Sequence, residues 1–189
     1  MKSSSPSKTK RLCANGENSK EIMGMKYNEI ISTLPKRETP YPPYELCQYQ
    51  GFWFPFIFLQ GIIFLPEIFK AHEPSDIFLC SYPKSGTTWL KALAFSIMTR
   101  DHFFDNDSTN PLLNKLLHEF IPAMEVDYVN NPSLLDTELP LLATHLPYPL
   151  LPPSILESDC KIIYICREPK DTFVSLWHFS QRSRENMAE

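Results

Sequence analysis

Three short apolar runs punctuate the chain from residue 76 onward: Asp76-Ile-Phe-Leu-Cys-Ser81, Leu141-Leu-Ala-Thr144 and Lys161-Ile-Ile-Tyr-Ile-Cys166. The first of these runs predicts a buried strand, and the other two predict short strands of the same sheet. Leu90-Lys-Ala-Leu-Ala-Phe-Ser-Ile-Met98 predicts a helix after the first strand, and the segment from Asp171 to Gln181 predicts another after the third. Between the first two strands, residues 101–111 are polar and loop-like, Leu112 to Phe120 is expected to be helical, and 121–140 irregular. A Pro-rich turn from Pro147 to Pro153 closes the second strand. Strands alternating with helices predict an α/β fold, a parallel sheet flanked by helices.

One stretch departs from this rhythm. From Leu46 to Pro66 no residue is charged, a length close to the ~20 residues that span a bilayer. Gln48, Gln50, Gln60, two glycines and Pro55 interrupt it, and aromatics crowd positions 49 to 58. It reads as a strand and turn feeding a buried helix, and no membrane partner is expected.

Composition sharpens the boundaries. With 189 residues the chain is expected to form one domain with a real core. Residues 1–40 hold eight Lys/Arg and four Asp/Glu, while 41–189 hold ten and eighteen. The first 16 residues are basic and Ser-rich like a transit peptide, but Glu17, Glu21 and Glu29 follow quickly. Residues 1–39 therefore read as a basic flexible tail and Pro-rich linker, with the folded body from residue 40. A sequence pI near 5.8 argues against a nucleic-acid partner. Five cysteines at 13, 47, 80, 160 and 166, with no C-x-x-C, predict buried reduced thiols in a cytoplasmic protein. Asn106-Asp107-Ser108 matches a glycosylation pattern but reads as a surface turn.

The chemistry concentrates at predicted strand ends. After the first strand comes Tyr82-Pro-Lys-Ser-Gly-Thr-Thr-Trp89, running directly into a helix. A helix N-terminus presents unpaired N–H groups and partial positive charge, which suit a phosphate or sulfate. Gly86 permits close backbone approach, Ser85, Thr87 and Thr88 supply hydroxyls, and Lys84 supplies charge. The G-x-x-x-x-G-K-[ST] spacing is absent, so this is a phosphate loop of another kind; Ser and Thr are also ordinary helix caps. At the third strand's end stands Arg167, where a Mg²⁺-dependent nucleotide kinase would tend to place an aspartate. It can meet an anion across the sheet crevice, with Ser175 about two helical turns on, or pair with Glu168 or Asp171. His145, ending the second strand, can take a proton from a hydroxyl. His178 is the competing histidine and is expected to pack. No histidine or cysteine spacing suits zinc, so no metal is expected.

Tyr82-Pro-Lys-Ser-Gly-Thr-Thr-Trp89, Thr144-His-Leu-Pro147 and Tyr164-Ile-Cys-Arg-Glu-Pro-Lys-Asp-Thr-Phe-Val-Ser175 resemble, in order, the signature segments of cytosolic sulfotransferases. Tyr49-Gln-Gly-Phe-Trp53 and Pro83 to Leu93 most resemble the plant branch. The resemblance runs from about residue 40 to the end, a partial sulfotransferase domain with P-loop-like nucleotide-binding architecture. It implies sulfuryl transfer from 3′-phosphoadenosine-5′-phosphosulfate (PAPS) to the hydroxyl of a small acceptor such as a flavonoid, steroid or glucosinolate precursor. Lys84, Ser85, Gly86, Thr87, Thr88 and Trp89 would hold the 5′-phosphosulfate, and Arg167 with Ser175 the 3′-phosphate. His145 would be the base, and Lys84 would also stabilise the leaving group. Phe52, Trp53 and Phe54 either line the acceptor pocket or belong to the core.

The resemblance also implies segments beyond the last predicted helix: an aromatic residue on the adenine and a glycine- and basic-rich segment over the 3′-phosphate. The present sequence has neither. Incomplete helical cover is expected to leave apolar surface exposed. A second reading is a catalytically silent chain that acts by association with intact relatives. The polypeptide made alone is expected to bind donor weakly and turn over poorly. Sulfate transfer from labelled donor at a rate usual for the family would refute that.

Overall fold

The computed structural model describes residues 17–40, 45–69, 75–103, 108–128 and 139–186. Helix α1 (Glu17–Thr33) leads into strands β1 (Lys36–Glu38), β2 (Glu45–Tyr49) and β3 (Phe52–Pro55), which form an antiparallel sheet in that order. Helix α2 (Phe56–Ile68) follows directly. A parallel sheet is then built from β4 (Ile77–Ser81), β5 (Leu141–Thr144) and β6 (Lys161–Ile165), in the order β5-β4-β6. Helix α3 (Thr87–Thr99) and two single turns, α4 (Pro111–Asn114) and α5 (Leu117–Phe120), lie between β4 and β5. A π turn (Met124–Tyr128) precedes β5; the turn α6 (Pro153–Leu156) and the long α7 (Pro169–Asn186) flank β6.

All three predicted strands form, pair in parallel, and run in register from Ile77↔Leu141 and Ile77↔Lys161. Alternation along β4 divides the core into two layers. Phe78 and Cys80 pack with Ile62 and Leu65 of α2, and Leu142 joins them from β5. Leu79 packs the opposite way, with Phe95 of α3, Ile121, Leu141 and Ala143. β4 and β5 are thus buried on both faces. β6 is not: Ile162, Ile163 and Tyr164 are exposed, in keeping with the incomplete helical cover expected from the sequence.

The charge-free stretch resolves into the β2–β3 hairpin and α2, and α2 explains why charge is excluded there. Ile62 and Leu65 face the parallel sheet, while Leu59, Ile63 and Phe64 face Cys47 of β2 and Ile31 of α1. A helix sandwiched this way is apolar nearly all round without entering a membrane. Among the described residues no helix is long and apolar enough to cross one.

Residues 17–38 depart from the expected tail and linker. Ile31 is buried, Tyr27 packs on Phe64 at 5.8 Å between ring centroids, and Lys26 pairs with Glu67. Lys36 to Glu38 pair with Glu45 to Cys47 as an edge strand. The apolar residues of α1 are sparse, so the sequence pattern alone is weak; the partner surface on α2 makes the helix worthwhile. The segment 1–16 lies outside the described residues, as do Cys13, Asn106 and Asp107.

The single helix expected over 112–120 is split. Asn110 Oδ1 accepts from Leu112 N at 3.0 Å and Pro111 occupies the first helical position, which starts α4 cleanly. Lys115 and Leu116 then turn extended, and Glu119 accepts from Leu116 N at 3.1 Å to start α5.

Gly61 has the tightest surroundings among the described glycines. A Cβ built there would lie 1.8 Å from the Glu125 carbonyl oxygen, so the π turn rests on bare helix backbone. Gly61→Ala is expected to destabilise the chain by about 1–3 kcal/mol, the cost of forced overpacking. A denaturant midpoint equal to that of the parent chain would refute this.

Candidate functional site

Because β4, β5 and β6 are parallel, their carboxyl ends open on one edge. β4 lies between the other two, so the chain leaves it for β5 on one side and returns to β6 on the other. That edge is a switch point, where α/β sheets form ligand crevices. Ser81, Thr144-His145 and Ile165-Cys166-Arg167 converge there.

The loop from Tyr82 to Gly86 turns β4 into α3. Ser85 is buried and its N–H donates to the Tyr82 carbonyl at 3.1 Å. Lys84 and Gly86 both have positive φ, 66° and 116°. For lysine that backbone carries strain of about 1–2 kcal/mol, while glycine adopts it freely. A Cβ at Gly86 would also meet Ile165 Cδ1 at 3.2 Å. Gly86 stands at the cap of α3 without a side chain to cap it, so the first amides of α3 point toward the crevice. Thr87 and Thr88 open that helix, one turn earlier than the apolar pattern predicts.

His145 is tied to the same loop through Ser81. Its Nδ1 lies 2.7 Å from the Ser81 carbonyl oxygen, which can only accept, so Nδ1 carries a proton and the lone pair of the neutral ring falls on Nε2. The Ser81 hydroxyl meets Thr87 Oγ1 at 2.6 Å. One residue thus bonds the imidazole with its carbonyl and the first residue of α3 with its hydroxyl.

Lys84 and Ser175 share an open cleft of about 390 Å³ with His178, Phe179, Arg182 and Ser183 of α7. Lys84 Nζ lies 4.4 Å from the centre of the Phe179 ring. His178 is exposed at this cleft rather than packed, contrary to expectation. Arg167 is outside the cleft lining and takes the other of its two expected positions, 3.8 Å from Asp171 on an exposed surface. Trp89 is 82% exposed. Phe54 packs against the core, while Phe52 and Trp53 lie on the surface, where Arg37 stacks on Trp53. The three aromatics are therefore not a single pocket wall.

Behind the crevice lies a buried polar cluster that the sequence reading missed. Glu125 is 4% exposed; its carboxylate accepts from His145 N and from Thr144 Oγ1, each at 2.8 Å. Asp127 accepts from Ala123 N at 2.6 Å. Lys91 of α3 donates to the Ile121 carbonyl at 2.8 Å, and burial pulls its pKa down against the opposing pull of Asp127 and Glu125. The available signal was the acid inside Ile121-Pro-Ala-Met-Glu-Val126 and the lysine inside Trp89-Leu-Lys-Ala-Leu93, charges set among apolar neighbours. Burial also pushes the Cys80 thiol up to about 11, with Glu125 adding to the shift.

Cys47, Cys80, Cys160 and Cys166 are free thiols; the first two are buried and Cys166 is exposed, against the expectation of uniform burial. At pH 8 the raised pKa keeps Cys80 protonated, and the thiolate is the nucleophile. Iodoacetamide is expected to label Cys166 and spare Cys80, read by peptide mass spectrometry; equal labelling in the folded chain would contradict the burial of β4.

Comparison with known proteins places these features in context. The sulfotransferase domain family matches residues 74–189. The chain is 48% identical over 161 residues to cytosolic sulfotransferase 17 of Arabidopsis thaliana, covering 84% of this chain and 46% of the relative. It is 47% identical over 155 residues to a flavonol sulfotransferase-like protein of Flaveria bidentis, covering 80% and 49%. The chain thus spans about half the length of the curated relatives it matches. A crystal structure from Arabidopsis thaliana, of a protein assigned as a steroid sulphotransferase, superposes with a TM-score of 0.73 at 42% identity, covering 86% of this chain and 58% of that one. A mouse sulfotransferase complexed with PAP superposes with a TM-score of 0.51 at 31% identity, covering 71% and 43%.

Proposed function

This chain belongs to the sulfotransferase family, and we propose that it carries the donor-loop and base half of a site that moves a sulfuryl group from PAPS to the hydroxyl of a small apolar acceptor. The observation that carries the reading is the double role of Ser81, which holds His145 with its carbonyl and Thr87 with its hydroxyl. A base and an anion-binding helix start held by one residue suit a reaction in which a hydroxyl attacks an anionic donor.

The residues fit such a donor. Gly86 in its left-handed conformation leaves the N-terminal amides of α3 uncovered, and Lys84, Ser85, Thr87 and Thr88 surround that point with charge and hydroxyls. PAPS supplies the sulfuryl group, activated by its anhydride bond to the 5′-phosphate. His145 Nε2 takes the proton from the acceptor hydroxyl as that oxygen bonds to sulfur. Lys84 and the α3 amides stabilise the negative charge that collects on the 5′-phosphate oxygen as its bond to sulfur breaks. Two cations, a helix start and one base are a sufficient set, because group transfer of this kind is mostly positioning and charge stabilisation.

Arg167 and Ser175 are assigned to the 3′-phosphate. The exposed pair of Arg167 with Asp171 at 3.8 Å is weak, so a phosphate can displace it. Trp89, at the open end of α3, is assigned to the donor with the loop. Flavonoid, steroid or glucosinolate-precursor hydroxyls are the proposed class, supported by the flavonol and steroid descriptions of the relatives. The reading is of a cytosolic, metal-free plant enzyme site without nucleic-acid or membrane partners. A second reading, a silent chain acting by association, draws on the exposed Ile162, Ile163 and Tyr164 of β6 and Phe173 and Trp177 of α7.

Calorimetric titration with adenosine 3′,5′-bisphosphate separates these readings. Saturable binding is expected, weakened at least about tenfold by Lys84→Ala or Arg167→Ala, as loss of a charge-assisted contact requires. His145→Ala is expected to leave that binding intact and lower transfer to a flavonol by roughly 10²–10⁴-fold, the usual worth of a general base. A folded, monodisperse chain that binds no bisphosphate would sink the donor-site reading and favour the second.

A further inference from the structure

We infer that Glu125 is a positioning residue for His145, acting through the backbone of the strand exit rather than on any reacting atom. This rests on the reading of His145 as the base, but the geometry that supports it does not.

Two consecutive residues at the end of β5 bond one carboxylate, and a third joins them through Thr144. His145 N donates to one oxygen of Glu125, and the Thr144 hydroxyl donates to the other, both at 2.8 Å. The Thr144 hydroxyl in turn accepts from Leu146 N at 3.0 Å. The chain from 144 to 146 is leaving the sheet, where its amides lose their ladder partners, and Glu125 replaces them. A charged acceptor in a buried setting makes these bonds stronger and more directional than a solvated pair. With the backbone held, the His145 ring reaches the Ser81 carbonyl and keeps its proton on Nδ1.

Glu125 is itself braced from three directions. Its backbone lies against Gly61 of α2, where a side chain would not fit. Asp127 closes the π turn by accepting from Ala123 N. Lys91, one turn into the helix that starts at the donor loop, grips the Ile121 carbonyl at the turn's entrance. The turn therefore bonds the base-bearing strand end directly and the donor-loop helix through Lys91. π turns inserted at such places are frequent at functional sites. Nothing in the proposed transfer asks Glu125 to touch donor or acceptor, so its buried charge is otherwise without a use.

The test reads His145 itself, without donor or acceptor. In the full chain labelled with ¹⁵N, two-bond proton–nitrogen correlations at pH 8 distinguish the Nδ1–H from the Nε2–H tautomer, with His145→Gln identifying the signal. The parent chain is expected to show the Nδ1–H form and a slowly exchanging His145 amide. Glu125→Gln is expected to preserve both, because its carbonyl still accepts from His145 N and its amide can donate to Thr144 Oγ1. Glu125→Ala is expected to mix the tautomers and speed exchange of the His145 amide by about tenfold or more, as loss of a buried bond to a charged group implies. A folded Ala variant that keeps the Nδ1–H tautomer and the slow amide would overturn the inference. Should the Ala variant fail to fold, Glu125→Asp, one methylene shorter, serves the same test: retention of both signals would overturn it, and loss of the slow amide with native near-UV circular dichroism would support it. The base reading stands or falls separately, on whether His145→Ala lowers sulfuryl transfer.

Discussion

β4 is paired on both edges and, but for its first residue, buried throughout, and the site depends on that. A strand in this position cannot shift without breaking two ladders and exposing two layers of side chains. Its last residue, Ser81, is consequently a fixed point. The two groups bonded to it, the imidazole of His145 and the hydroxyl of Thr87, inherit its placement. The parallel direction of the neighbouring strands does the rest: it brings β5 and β6 to the same edge, so that residues 64 and 86 positions later in the sequence arrive beside the loop.

The layer behind that edge is unusual in holding charge. Lys91, Glu125 and Asp127 lie beneath the crevice, partly or wholly withdrawn from water, and the two carboxylates favour the charged form of Lys91 against the burial that pulls its pKa down. Burying such groups is costly, and a hydrophobic replacement of equal volume would often be as stable. What the cluster does provide is direction. Each of the three bonds a specific backbone group: the Ile121 carbonyl, the Ala123 amide, the His145 amide. Apolar contacts could fill the same volume without setting the orientation of a strand end to a few tenths of an ångström.

The two sides of the molecule differ sharply in finish. α2, β4 and β5 form a closed core, whereas Trp89, Leu93 and Ile97 make an exposed stripe at helical spacing along α3, and β6 and α7 expose Ile162, Tyr164, Phe173 and Trp177. Rings and branched chains clustered in this way exceed the scatter of single apolar residues on an ordinary surface. The cleft that Lys84 shares with α7 opens on this unfinished side. The loop from Tyr82 to Gly86 and His145 therefore rest on the closed half of the fold, and Arg167 and Ser175 rest on the exposed half. That difference makes Arg167 more easily moved than His145.

The strands and the phosphate loop were legible in the sequence because both are local. A short apolar run without alternation marks a strand of a parallel sheet, and a glycine between a strand and a helix opens a helix N-terminus wherever the chain goes next. What was not legible has the opposite cause. β6 is an apolar run much like β4, but burial depends on what packs on its faces: β5, the other edge strand, is covered, and β6 is exposed. α1 carries a weak pattern and folds against α2, a partner some thirty-five residues away. Glu125 read as one acid in an irregular segment; its meaning lies in a bond to His145, twenty residues on, which exists because the π turn rests on Gly61. Residue type and spacing determined which groups could bind an anion or accept a proton. Tertiary structure decided which of them share a carbonyl, a carboxylate or a cleft, because those distances are set by packing between elements that no local pattern encodes.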